Sequence, residues 1–429
     1  MSNKINSIRG TRDLLPEETF LWQKIEKIIK KVFIMYGYSE IRFPILGKTS
    51  LFNKSIGNLT DLVNKEMYSF KDKNGNSITL RPEGTACCAR ACIEHGLLRN
   101  NEQRFWYIGP MFRYERPQKG RYRQFYQAGI EIFGHKGPCI DVEIILLTYR
   151  LWNLLGLNKY LSLHINSIGS VESRFKYINH LYKFFNLNYK YLDEDSKKKI
   201  ENNNIIRILD SKNKKIKNLL KSAPKFINYI DNDSYCHFKN LCNILDKNNI
   251  KYKVDNNLVR GIDYYNKTVF EWITNFIGSK NTVCGGGRYD NLTEKLGGIN
   301  KPAIGCSIGL DRIIILIKKI NPNFFSIKFL DLYIITSFIK NKSKALIISE
   351  NLRNKLPYIK LITDYSVSNF NNQLKKAYKY RSNFVLILKN IKKLDKILLK
   401  NLITGKEIKL FYKDIIIYLK LNIKKFNFK

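Results

Sequence analysis

Residues 112–133, FRYERPQKGRYRQFYQAGIEIF, constrain the chain more than any other stretch. The preceding RFWYIGPMFRYE is apolar and aromatic and reads as a strand ending on Arg113 and Glu115. The loop RPQKGRYR then carries Arg116, Lys119, Arg121 and Arg123 around a proline and a glycine. The returning strand alternates with period 2, so Ala128, Ile130 and Ile132 share one face and Phe125, Gln127, Gly129 and Glu131 the other. A strand packed on both faces would not set Gln127 and Glu131 on either side of a glycine. Two hydrogen-bonding side chains flanking a missing one predict a hole with polar walls. The alternative is a solvated face with Gly129 as a bulge. A carboxylate beside an aromatic and a cationic hairpin loop favours a site for something small and polar, with a phosphate or nucleic acid above the loop.

Length and charge set the frame around this hairpin. A chain of 429 residues accommodates two or three domains with their own cores. No apolar run is long enough to span a bilayer, and MSNKINSIRG lacks the apolar core of a signal peptide, so a cytoplasmic protein with no membrane partner is expected. The eight cysteines form no CxxC pair; Cys236 and His237 come nearest to a cysteine–histidine cluster, so buried reduced thiols are expected. A net charge of +39 would steer a polyanion and bind it with strong salt dependence. Heavy use of Lys, Asn and Ile throughout, as in KKKIENNNIIRILDSKNKKIKNLLK, is also what an AT-biased genome produces, so charge alone does not establish a nucleic-acid partner.

In chain order, IRGTRDLLPEE leads into an amphipathic helix over about 17–36, followed by YSEIRFPIL, an extended edge or interface segment with Pro44. This pairing fits either simple core or a dimer seam. MYSFKDKNGNSITL predicts a hairpin turning at Asn74-Gly75. RPEGTACCARACIEHG predicts a helix over 86–94, with Glu83 and Thr85 at the strand-to-helix junction, where they could face an ammonium group or, for Thr85, cap the helix. PCIDVEIILLTYRLWNLLG reads as a core helix and YLSLHINSIGS as a strand and turn. Residues 171–253 are Lys/Asn-rich and helical, an inserted module without recognisable chemistry.

LVRGIDYYNKTVFEW brings Arg260, Asp263, Tyr264 and Tyr265 in a strand-like segment, and CGGGRYDNL adds three glycines that let backbone pass close to a ligand. No GKS or GKT follows, which excludes a Walker loop. AIGCSIGLDRIIILIKK predicts a strand, a turn at Gly309 and a helix with Arg312 in its first turn, either a phosphate site or a surface arginine. Past IKKINPNFFSIKF, alternating strands and helices predict a second, α/β unit over 330–429 with a small mixed sheet and a binding role.

Taken together these segments resemble the histidine–tRNA ligase (histidyl-tRNA synthetase) family of class II aminoacyl-tRNA synthetases, in the family's order and over nearly the whole chain. FPIL, FRYERPQKGRYRQF with YQAGIEIFG, and AIGCSIGLDRI resemble the three class II motifs; RGIDYYNKTVFEW and CGGGRYDNL resemble the segments that single out histidine. The resemblance implies an α+β protein: an antiparallel-sheet catalytic core over 1–325 with the 171–253 helical insertion, and a C-terminal anticodon-binding α/β domain over 330–429. It implies ligation of L-histidine to tRNA-His through a histidyl-adenylate, with ATP as substrate, Mg2+ arriving with the ATP, no prosthetic group, no metal held by protein side chains, and a homodimer.

Residue by residue, the resemblance assigns catalysis to Arg113 and Arg260. It assigns ATP to Arg113, Glu115, Arg121, Phe125 and Arg312, and histidine to Glu83, Thr85, Gln127, Glu131, Arg260, Tyr264 and Tyr265. Arg116, Gln118 and Arg123 correspond to positions that meet the tRNA acceptor end. Asp311 stands where the family commonly has Glu, and YSVSNFNNQLKKA replaces a usual glycine-rich run. The rivals are a regulatory paralogue on the same core, a class II ligase for proline, threonine or glycine, and a basic nucleic-acid-binding protein. A regulatory paralogue is expected to lack the C-terminal unit, and the other ligases to lack RGIDYY.

Overall fold

The computed structural model describes residues 4–57, 60–99, 102–202, 204–209, 211, 213–277, 282–322, 330–336, 342–366, 368–388 and 397–423. The chain forms two compact units, Met1–Phe324 and Phe325–Lys429.

The first unit is built on an eight-stranded sheet. Its strands run in the spatial order Ser39–Glu40, Gln103–Phe112, Gln124–Phe133, Ala303–Gly309, Thr282–Arg288, Asn266–Ile273, Ser162–Ser167, Tyr252–Val254. Pairing is antiparallel through the middle and parallel only at the two margins. The YSEIRFPIL segment supplies a two-residue edge strand that ends well before Pro44. The 112–133 hairpin keeps an unbroken register in which Tyr107 faces Gly129 and Phe105 faces Glu131, so Gly129 is not a bulge.

Helix Pro16–Met35 has Pro16 in its first turn and Glu17 and Glu18 near the positive end of its dipole. Of Leu21, Ile25, Ile28, Ile29 and Val32, which share one face by helical spacing, it buries all but Ile28, which is partly buried. Helix Pro138–Leu154 covers the sheet, with Trp272 donating to Thr148 at 2.9 Å. The stretch 171–247 is largely helical. Its helices Val171–Leu187, Glu194–Glu201 and Asn232–Lys247 start on Ser170, Asp193 and Asp231, whose side chains accept from the backbone N–H three residues on. Tyr177, Leu181, Phe185 and Phe226 of the insertion share one buried cluster with Tyr264, Tyr265 and Tyr289 of the core.

One local expectation is corrected. The segment holding Arg260–Tyr265 is a loop, and its strand begins only at Asn266. Arg260 and both tyrosines therefore lack ladder partners to fix them.

The second unit has the expected mixed sheet. Leu361–Thr363, Leu330–Thr336 and Ser382–Leu388 run parallel, and Ile397–Asn401 and Glu407–Leu410 extend it antiparallel. Period 2 sorts its apolar residues. Leu332, Ile334 and Leu386 pack with helices Lys342–Lys355 and Tyr412–Asn422, whereas Tyr333, Ile335 and Val385 pack with Ala377 of helix Phe370–Lys379.

Candidate active site

A cavity of about 1120 Å³ opens over the central strands of the first unit. Glu83, Thr85, Arg113, Glu115, Arg121, Phe125, Gln127, Arg260, Tyr264, Tyr265 and Arg312 all line it, so residues scattered over 83–312 meet at one place.

Glu131 is fully buried and does not itself line the cavity; it lies behind Thr85 and Tyr107, which do. Its Oε1 accepts from the Thr85 hydroxyl and the Tyr107 hydroxyl, each at 2.8 Å, and its Oε2 accepts from the Tyr289 hydroxyl. Burial pushes this carboxyl up to about 8, even though the three hydroxyls favour the ionised form. Gly305 lies opposite Glu131, and a β-carbon there would overlap the Glu131 carboxylate.

The hole expected over Gly129 is not open. The Tyr107 ring fills it, and a β-carbon at Gly129 or at Gly84 would overlap that ring. The glycine serves to admit a tyrosine from the neighbouring strand, and polar access to Glu131 runs through hydroxyls. Tyr107 and Tyr289 are thus site residues to which the sequence alone assigned no role. A cross-strand register putting an aromatic opposite a glycine was the available signal.

The backbone N–H groups at this junction are met by Glu83 and not by Thr85. The Glu83 carboxylate accepts the backbone N–H groups of Thr85 at 2.7 Å and Ala86 at 2.8 Å, so Glu83 caps helix Thr85–Glu94 and leaves the Thr85 hydroxyl to Glu131. Burial raises the Glu83 carboxyl, against those two N–H groups and the nearby Arg113. The Tyr264 hydroxyl is 3.5 Å from its Oε2. Gln127 presents a buried Oε1 with no partner among the described residues, a polar atom left for a ligand.

The four arginines expected at the site line the cavity, with Arg207 as a fifth. Arg113 donates to the Pro82 carbonyl at 2.9 Å and lies over the Phe125 ring, 5.3 Å from its centroid. Arg121 pairs with Glu115 at 2.6 Å. Arg312 is not a surface residue: it donates to the carbonyls of Gly120, at 3.2 Å, and Thr282. Burial, and then repulsion from Arg121, lowers its pKa, against Glu115, which raises it. Arg260 donates to Glu271 and lies 5.4 Å from the Tyr265 ring centroid, while its buried Nε has no partner among the described residues. Burial alone would lower the Arg260 pKa, but Tyr265 and Glu271 more than offset it and hold the guanidinium charged.

The glycine triplet also makes room for protein groups. A side chain at Gly285 would strike Arg260, and one at Gly287 would meet Tyr265. Of the hairpin loop, Arg116 and Gln118 are exposed at the tip, whereas Arg123 folds back with its guanidinium 3.8 Å from the centre of the Tyr114 ring. Asp311 accepts from Arg12 at 3.0 Å and from the Tyr126 backbone N–H at 2.9 Å, anchoring the N-terminal segment behind the site.

Among the described residues no group of three or more His, Cys, Asp or Glu side chains could hold a metal ion, and no helix is long and apolar enough to cross a membrane.

Comparison with known proteins agrees with this geometry. The family model for histidyl-tRNA synthetase matches residues 10–313. The crystal structure of apo histidyl-tRNA synthetase from S. aureus is 33% identical, with a TM-score of 0.78, covering 97% of this chain and 100% of that one. Histidyl-tRNA synthetase from Nostoc sp. PCC 7120 shares the fold at 19% identity and a TM-score of 0.69, covering 98% of this chain and 100% of that one. A Bacillus halodurans structure described as an ATP phosphoribosyltransferase regulatory subunit/histidyl-tRNA synthetase shares it at 19% identity and a TM-score of 0.63, covering 90% and 98%. The chain belongs to the histidyl-tRNA synthetase family of class II aminoacyl-tRNA ligases.

Proposed function

We propose that this chain joins L-histidine to tRNA-His in two steps at the cavity over Glu131. In the first, the histidine carboxylate attacks the α-phosphorus of ATP, pyrophosphate leaves, and histidyl-adenylate forms. In the second, a terminal ribose hydroxyl of the tRNA attacks the activated carbonyl and AMP leaves. The observation that carries the reading is a cavity lined by Arg113, Arg121, Arg260 and Arg312 together with Thr85 and Tyr107, whose hydroxyls reach the buried Glu131 carboxyl behind them.

Each group has work to do in this scheme. The nucleophile and the phosphate are both anions, so fixed cations must offset the charge that gathers between them. Arg113 and Arg260 take the α-phosphate from opposite sides and are the catalytic residues. Arg312 and Arg121 hold the outer phosphates. Phe125 stacks on adenine and Glu115 accepts from its amino group. Glu83, Thr85 and Gln127 hold the amino and carboxylate groups of histidine, with Arg260 alongside. Glu131, Tyr264 and Tyr265 read the imidazole, and an amino acid without ring nitrogens would leave buried polar groups unpaired.

Magnesium enters with ATP as part of the substrate. The carboxylates Glu115 and Glu271 are paired with Arg121 and Arg260, so the side chains around the phosphates act as cations. Arg116 and Gln118 at the exposed loop tip, with Arg123 behind them, meet the acceptor end of the tRNA. The 330–429 unit binds the anticodon, and the chain works in the cytoplasm as a homodimer. Histidine-dependent exchange of pyrophosphate into ATP tests the first step, and charging of tRNA-His tests the second.

A further inference from the structure

The loop that carries Arg260, Tyr264 and Tyr265 is held from outside the sheet, by the helical insertion. Arg174, from helix Val171–Leu187, donates Nη1 to the Asp263 carbonyl at 3.2 Å and Nη2 to the Tyr265 carbonyl at 2.6 Å. Arg207, from the turn Ile205–Ile208, donates to the Gly261 carbonyl. Two guanidinium groups thus satisfy three carbonyls of a segment that has no strand ladder of its own.

The last insertion helix reaches the other tyrosine-bearing segment. His237, from Asn232–Lys247, shares hydrogen bonds with the Asp141 carboxylate at 2.8 Å and the Thr268 hydroxyl at 3.1 Å. Asp141 pairs with Arg288 at 2.8 Å. The Arg288 guanidinium is fully engaged, with Asp141, Asp290 and the carbonyls of His135 and Gly137. Its neighbour Tyr289 is the residue that donates to Glu131. Asp290 closes the circuit: Asn266, next to Tyr265, donates to its carboxylate at 3.1 Å.

We propose that the insertion sets the affinity for the amino acid, with Arg174 and Arg207 as positioning residues for Arg260, Tyr264 and Tyr265 and His237 as the brace behind Tyr289. This rests on the histidine reading of the pocket given above. Removing Arg174 takes away the donors to the exposed Asp263 carbonyl and the part-buried Tyr265 carbonyl and lets the loop depart from the geometry that presents its side chains. The amino-acid side of the cavity suffers, while Phe125 and Arg312, on other elements, keep their places.

The experiment is pyrophosphate exchange by the full chain without tRNA, varying histidine and ATP separately in the wild type, Arg174→Ala and Arg174→Lys. In Arg174→Ala the KM for histidine rises about tenfold, while the KM for ATP stays within about twofold. Lysine keeps the charge and can reach one carbonyl, so Arg174→Lys recovers part of the loss. If Arg174→Ala does not unfold cooperatively, Arg174→Lys carries the test, with a histidine KM raised about threefold and an unmoved ATP KM. A histidine KM at the wild-type value in the folded variants, or both KM values rising together, overturns the proposal. Absence of histidine-dependent exchange in the wild type defeats the functional reading itself, and this proposal with it.

Discussion

Tyr107 occupies the space over Gly129 where a side chain would otherwise stand, and from there its hydroxyl donates to Glu131 at 2.8 Å. Gly129→Ala would therefore drive the Tyr107 ring out of a packed site. The expected cost is about 1–3 kcal/mol of stability, as for other overpacked cores, together with a higher KM for histidine. Urea unfolding and exchange kinetics measure the two effects. A variant as stable as the wild type, with unchanged KM, would mean that the ring has room to spare.

Glu131 gives a pH signature. Its carboxyl stands at about 8 in the folded chain, against an ordinary value of 4.5. Between those values the unfolded chain has released a proton that the folded chain still holds. The stability this group contributes is complete at low pH and is lost as pH rises toward about 8. Glu131→Gln cannot ionise, so its stability relative to wild type should grow with pH across that window, by at most about 1.4 kcal/mol per pH unit. Unfolding midpoints at about pH 5, 6.5 and 8 decide this. A difference that does not vary with pH would show that Glu131 ionises in the folded chain much as it does in the unfolded one.

Arg260→Ala removes a cation from the phosphate region and strands Glu271, which accepts from Arg260 and, at 2.6 Å, from the Thr282 hydroxyl. Adenylate formation should fall roughly 10²–10³-fold. Arg260→Ala combined with Glu271→Gln should recover stability but not rate, which separates the catalytic loss from the cost of an orphaned carboxylate. Near-normal adenylate formation in Arg260→Ala would contradict the charge assignment.

Legibility in the sequence followed the periodicity. The period-2 strand holding Gln127 and Glu131, the helix beginning near Thr85 and the alternating elements of 330–429 could be read directly, because local spacing determines them. What escaped was contact between distant segments. Tyr107 reaches Glu131 only through strand register, and Arg174 meets the Tyr265 carbonyl across 91 positions of sequence. The Arg260–Tyr265 segment reads as strand from its aromatic and branched residues, yet folds as a loop tied down by arginines of the insertion. Those arginines lie in the Lys/Asn-rich 171–253 stretch, where the sequence shows no recognisable chemistry.

The two units have separate buried cores, those of the second being built from Leu332, Ile334, Leu386 and Leu399 on one face and Tyr333, Ile335 and Val385 on the other. Deleting 330–429 should leave histidine-dependent pyrophosphate exchange measurable while charging of tRNA-His falls steeply. Undiminished charging would sink the anticodon assignment for the second unit.

Pyrophosphate exchange into ATP, run with each amino acid in turn and without tRNA, tests the central claim most directly. The account predicts exchange with histidine alone, lost when the amino acid has no imidazole. Exchange with proline, threonine or glycine, or none with any amino acid in folded protein that still binds histidine, would contradict it.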